Sequence, residues 1–481
     1  MIGNHIDRCG VWMIMHRKLA VLAVVALTAC GVDAAPATTP TTPSKFPSSS
    51  PSSSPSSSAV LTSAAERPAT ATGDTHPTIG PLPDLAVVSA IGRVAVVRGG
   101  AISDSHPGLV AADGQTLIST TPSADRSSTT VRWTALADGS VAASVTLDGH
   151  LTAIASDATS TVVALTAAGS TGTEIVIAGR HGQLFRRTYS TELLPEGFTS
   201  FFNGSSELPA GLFVIEYLDP PPVATGAPRR YRVRVLDTAT GDLAFPLSLR
   251  DKGQTVDEQM LGFGRTHVLS PVNQLLFTLY RGVDSEEVGY AFVHTLGFVN
   301  GVWCLGLPAQ LDLGTLPGAI VLGDHERTLL VASANGEMTE FIVNDISNGP
   351  NDPTPDRTVA VWSPSDTTLG PALAATGNRV LVGQGDHIRW VAADTLTVQT
   401  DLVWDMQIEA VALMSNGNAI AAGTRRISEI TPQGDLAAEI PLPADFGPVA
   451  RIILINSPAA TAGTAVTAVT AVTAGTAGTA G

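Results

Sequence analysis

The chain has 481 residues, of which 44% are hydrophobic and only 15% charged, and it carries a net charge of −16. There is apolar material for one large repeat domain or for two or three average ones, and a polarity drawn mostly from Thr, Ser, Gly, Asn and Gln suits strands and turns better than exposed helices, which favour Glu and Lys. A body this acidic repels phosphate backbones and anionic lipid head groups, so nucleic acid is not an expected partner.

The N-terminus reads as an address. Met15-His-Arg-Lys18 is a positive start, and Leu19 to Ala29 (LAVLAVVALTA) is an apolar run of eleven. That is too short for a permanent membrane span and the right size for the core of a signal peptide. Met13 and Met15 read as better starts than Met1. The run closes on Leu27-Thr28-Ala29-Cys30, followed by Gly31, which resembles the bacterial lipobox. The resemblance implies a signal peptide over residues 1–29 and a diacylglyceryl group on Cys30, placing the mature chain on the extracytoplasmic face of the cell membrane. One acyl chain binds a bilayer only marginally, whereas two hold stably. With Cys9 removed and Cys30 acylated, Cys304 has no intrachain partner and is expected to be an inert buried thiol between Trp303 and Leu305.

Residues 30–80 carry the anchor and a linker. From Val32 to about Ile79 there is no hydrophobic periodicity, and Pro47-Ser-Ser-Ser recurs at Pro51 and Pro55. Such a segment buries too little surface to offset its chain entropy and is expected to be disordered. As a flexible coil it spans roughly 35–40 Å, more where proline stiffens it.

A repeated unit follows. Pro107 to Ala142 contains four short alternating runs separated by Gly and Asp turns, and His150 to Phe185 repeats the plan; each predicts a four-stranded antiparallel meander. The second-strand pattern recurs at Gly211–Tyr217, Asn273–Leu279, Glu326–Ser333, Gly377–Gly383 and Gly417–Gly423, and the outer hairpin at Val233–Leu243, Ile388–Leu396 and Ile427–Leu436. That makes seven complete units. At the ends, Leu85–Val97 looks like an outer hairpin without inner strands, and Val449–Ile455 like an inner strand without a hairpin. Joined, they close a ring, which is how such meanders avoid exposed edges. The expected fold is therefore an all-β β-propeller over residues 81–456. Eight blades give about 47 residues each and seven about 54; since blades commonly hold about 40–50, eight is slightly favoured. Residues 457–481 form a low-complexity Thr-Ala-Gly/Val tail.

Val235-Leu-Asp-Thr-Ala-Thr-Gly-Asp-Leu243 resembles the hairpin of YVTN-type and quinoprotein-type propeller repeats, and Ala291–Pro308 resembles a blade of the propeller-like envelope lipoproteins of high-GC Gram-positive bacteria. These motifs are structural, and the group has no single activity to carry over. Only one hairpin has the full Asp-x-x-Thr-Gly form and few blades end in Trp, so no quinone or other cofactor is expected.

No HExxH, GxSxG, Walker loop, paired CxxC or EF-hand spacing occurs, so no catalytic residue and no metal ligand is assigned. Gly323-Asp324-His325 and Gly385-Asp386-His387 are read as turns, just before one second strand and just after another. Asp345, Asp352 and Asp356 lie in a proline-broken loop whose spacing does not suit calcium, and Asp284, Glu286 and Glu287 form a solvated acidic loop. His267 and His294 are read as core or channel-lining residues. Stretches 188–210, 217–230 and 251–265 are expected to be long loops, with Phe201, Phe202, Leu218 and Pro220 to Pro222 forming an apolar contact patch. The leading functional expectation is a binding or scaffolding module for a protein or glycan partner in the cell envelope. The rival is an envelope hydrolase, lyase or oxidoreductase whose site gathers side chains from several blades around the channel.

Overall fold

Radially packed sheets have a neighbour on each side, so their strands must be apolar on both faces. The computed structural model describes residues 80–455, apart from residues 104, 170–171, 200–210, 221–228, 247–256, 258, 271, 284–288, 298–300, 324, 344–354 and 365. Leu27, Thr28, Ala29 and Cys30, the linker up to residue 79 and the tail from residue 456 lie outside the described residues.

Among the described residues, thirty-two strands form eight four-stranded antiparallel blades of a β-propeller. Blades 1 to 7 span residues 106–148, 152–189, 192–244, 260–306, 318–360, 372–403 and 410–441. Blade 8 draws on both ends of the domain. Val449–Leu454 is its first strand, and Leu85–Ser89, Arg93–Arg98 and Ala101–Ile102 are the other three. Leu85 pairs with Leu454, Ala86 with Ile453 and Val87 with Ile452, and the Ile455 amide extends the clasp by donating to the Asp84 carbonyl at 2.9 Å. The two terminal fragments thus close the ring as their patterns implied, and the blade number is eight.

Each of the eight junctions between neighbouring blades holds buried apolar side chains. In blade 8, Leu85 and Val87 pack toward blade 7 with Ile420, while Ala86 and Ile453 pack toward blade 1 with Val110 and Leu117. In blade 2, Val163, Leu165 and Val176 join Trp133 of blade 1, whereas Val162, Ala164 and Ile175 join Leu212 and Val214 of blade 3. The period-2 alternation of strands is present, but both of its faces are apolar. The outermost strand of blade 6 meets water: Thr397–Val403 alternates between exposed and half-buried positions along its length.

Three expectations are corrected. The stretch 188–210 is not a loop throughout, because Glu192–Thr199 is the first strand of blade 3. Pro195 and the two glutamates disguise it; the pairing shifts between Pro195 and Gly197, a bulge that accommodates a residue without an amide hydrogen. Likewise 251–265 runs into the first strand of blade 4, which starts at Met260. Cys304 is half-buried rather than enclosed in the core as expected.

The clasp can be tested by weakening it. Ile453 is fully buried at the junction of blades 8 and 1. Ile453→Ala is expected to lower unfolding stability by about 2–4 kcal/mol, while Val141→Ala, at a position 53% exposed, should change it by less than about 0.5 kcal/mol. Urea midpoints at unchanged slope measure both, and an effect at Ile453 as small as that at Val141 would contradict a ring held by its clasp.

Candidate functional site

The outer half of blade 6 gathers a set of polar side chains around a small pocket. Arg379–Gln384 and His387–Ala392 are joined by the two-residue turn Gly385–Asp386. Gly385 has φ +60, the conformation that a tight hairpin of this kind asks of its first central residue and that glycine adopts without strain. Period-2 alternation then sets His387 and Arg389 on one face. Register places Val403 opposite His387 and Asp401 opposite Arg389.

Asp401 serves both neighbours. Its carboxylate accepts from His387 Nδ1 at 2.8 Å and from Arg389 Nε at 3.1 Å. Since a carboxylate only accepts, Nδ1 carries the hydrogen, and a neutral His387 has its lone pair at Nε2. That nitrogen lies 3.8 Å from Asp386 Oδ1.

Arg389 is only 2% exposed, and its Nη1 has no hydrogen-bond partner in the protein. Burial lowers its pKa, against the pull of Asp401. Its guanidinium carbon lies 5.7 Å from the centre of the Trp362 ring, a cation–π distance.

The opposite wall belongs to the connection from blade 5, and buried Gln384 ties it down. Its Oε1 accepts from Trp362 Nε1 at 2.7 Å, and its Nε2 donates to the carbonyls of Ala334 at 2.9 Å and Leu369 at 2.8 Å. These bonds spend the amide on structure. Asp366 accepts from the Thr368 hydroxyl at 2.6 Å and amide at 2.8 Å, which holds its carboxyl below the ordinary range. The pocket between them is lined by Pro364, Asp366, Leu369, Gln384, Gly385, His387 and Arg389, and its free volume of about 10 Å3 is room for one water molecule.

Of the residues singled out in the sequence, Gly385, Asp386 and His387 are at this site, and the first two form the expected turn. The second triplet has no such surroundings. Asp324 lies outside the described residues, and the turn continues through His325 and Glu326 at φ +53 and +66. Buried Glu326 accepts from the Ser270 hydroxyl at 2.7 Å and the Val272 amide at 3.0 Å, tying blade 5 to blade 4.

Asp345, Asp352, Asp284, Glu286 and Glu287 lie outside the described residues, as do Phe201, Phe202, Pro221 and Pro222 of the proposed patch; Asp356 is exposed. Among the described residues, no three His, Cys, Asp or Glu side chains are grouped to hold a metal ion. His267 is exposed on the first strand of blade 4, and His294 is buried on its third.

Sequence reading missed Arg389, Asp401, Gln384 and Trp362 as a set. The available signal was an arginine at an inward position of the otherwise apolar run Ile388 to Ala392, since arginine is rarely buried without a partner.

No family model matches this chain, and no curated protein does. Solved structures with a similar course include a dihydro-heme d1 dehydrogenase, NirN, in complex with DHE: identity is 12%, TM-score 0.44, and the match covers 82% of this chain and 78% of that one. Apo AztD from Citrobacter koseri is 11% identical at TM-score 0.43, covering 80% of this chain and 98% of that one. BamB from Moraxella catarrhalis is 13% identical at TM-score 0.36, with 74% and 93% covered.

A pH dependence follows from His294. Burial beside Tyr280 and Phe292 pushes its pKa down from 6.5 to about 4. Below pH 6.5 the unfolded chain therefore binds a proton that the fold refuses. The associated stability is complete above that pH and is lost as pH falls toward 4. Between pH 7 and pH 5 this one group costs about 2 kcal/mol. His294→Leu should remove that part of the loss, measured as a smaller drop in urea midpoint between the two pH values. An unchanged drop would show that the imidazole is not held neutral.

Proposed function

We propose that this chain is a lipid-tethered binding propeller at the outer face of the cytoplasmic membrane, presenting its blades to a protein or glycan partner in the cell envelope. The observation that carries the reading is Cys30 at the end of Leu27-Thr28-Ala29, directly after an eleven-residue apolar run. Charge supports it as well. Removal of residues 1–29, in which Asp7 stands against Arg8, Arg17 and Lys18, leaves a body near −18, which anionic head groups and nucleic acid repel. Contact with the bilayer then falls to the acyl chains, and the linker holds the propeller clear of it. Recognition is assigned to the pocket between blades 5 and 6, where a rigid wall and unspent polar valences coincide.

One observation favours an enzymatic alternative. The His387–Asp401 pair leaves Nε2 as the nitrogen available for proton transfer. In that reading, turnover of an envelope substrate depends on His387.

The anchor is tested in the native host by feeding an alkyne-tagged fatty acid and fractionating the cells. The parent chain should carry the tag and sediment with membranes, whereas Cys30→Ala should be untagged and either soluble or unprocessed. Membrane retention of untagged Cys30→Ala would remove the anchor from the proposal. Whole-cell cross-linking then asks for the partner, and substrate turnover without any captured protein or glycan would favour the enzyme.

A further inference from the structure

Blade 8 holds a cation that the protein leaves unanswered. Its two inner strands, Leu85–Ser89 and Val449–Leu454, are buried at every position except Val88 and Arg451, which are half-buried. Register sets these two directly opposite each other. Period-2 alternation puts them on the face of Ala86 and Ile453, which packs toward blade 1. The seam where the ring closes is thus open to solvent beside one guanidinium, with apolar side chains around it.

Three other enclosed arginines each have a carboxylate beside them: Arg229, Arg234 and Arg389 answer to Glu192, Glu216 and Asp401. Arg451 has neither a hydrogen bond nor an ion pair to any described residue. Its Nε is shielded from solvent without an acceptor, so the Nη groups are the ones that solvent reaches. Burial alone lowers its pKa to about 10, with no neighbouring charge of either sign acting on it, and it is still a cation at neutral pH. A charge drawn out of water is costly unless it is paired.

The chemistry of the missing partner follows. A guanidinium presents N–H donors as a planar fork that matches the two oxygens of a carboxylate. A halide has the right charge, but a sphere cannot use the fork. A sulfate or phosphate dianion brings a second charge, with no further cation at hand and a protein of net charge −16 around it, which repels it. A hydrocarbon substituent on a carboxylate meets apolar neighbours in Val88 and Ile453.

We propose that Arg451 anchors a binding site for a carboxylate monoanion at the seam of blades 8 and 1, with its Nη groups holding the two oxygens and Val88 and Ile453 lining the apolar end of the ligand. The site lies on the innermost strand of its blade and is separate from the pocket between blades 5 and 6, so it stands independently of the function assigned there.

The test uses the mature chain in an amine buffer with chloride as the only other anion. Acetate and propionate are the probes and sulfate the control, at matched ionic strength, and binding is followed by NMR line broadening of the probe. Acetate should bind with a Kd in the millimolar range, as expected for a few heavy atoms, and raise the melting temperature above its value in chloride. Propionate should bind at least as tightly, and sulfate should displace neither. Arg451→Lys keeps the charge without the fork and should bind acetate about tenfold more weakly. Arg451→Met should not bind it, and in chloride it should melt at or above the temperature of the parent, because an unanswered charge is gone. Absence of acetate binding by the parent overturns the proposal, as does acetate binding that Arg451→Met retains. Displacement by sulfate overturns it too. So does an Arg451→Met chain that melts well below the parent, since that would show the guanidinium already answered within the protein.

Discussion

Every blade of this propeller lacks a core of its own. A four-stranded meander with apolar side chains on both faces can bury them only against neighbours, so the stable unit is the closed ring. Nearest-neighbour packing is the stabilising term in such repeat architectures, and a ring differs from an open array because no terminal unit is left to cap. Here the last strand, Val449–Leu454, supplies the innermost element of blade 8, and the first three strands supply the rest. The clasp therefore joins parts of the chain more than 350 residues apart. It also covers two faces at once: Leu85 and Val87 are buried against blade 7, and Ala86 and Ile453 against blade 1.

Burying both faces limits where polar chemistry can sit. A charged side chain in a blade interior must bring its partner with it, so the ionisable groups inside a blade come in pairs across neighbouring strands. Blade 3 shows the structural version of this. Arg232 and Arg234 share Glu216, and Arg229 pairs with Glu192 at 2.8 Å. Each charge there has an answering one nearby. In blade 6, Asp401 satisfies Arg389 at Nε while Nη1 is left without a partner, as Arg229 Nε is in blade 3. A buried donor without an acceptor costs on the order of 1–3 kcal/mol, and its natural compensation is a water or a ligand group.

Much of the architecture was legible because turn chemistry and strand period repeat together. The hairpins at Asp237–Gly241 and Thr431–Gly434, the five second-strand runs and the two complementary ends fixed strand order before any packing was known. Glu192–Thr199 was not legible. Proline and two glutamates in eight residues contradict a buried inner strand, and only the bulge after Pro195 reconciles them. The site was hidden for a different reason. Arg389 was the one visible signal in the apolar run Ile388 to Ala392, and nothing in that run says which groups of the next blade cover it. Trp362, Gln384, Arg389 and Asp401 converge only once blade 5 is stacked on blade 6 and register sets Asp401 across from Arg389. Local sequence encodes each blade; the contacts that make a site belong to the junction between two.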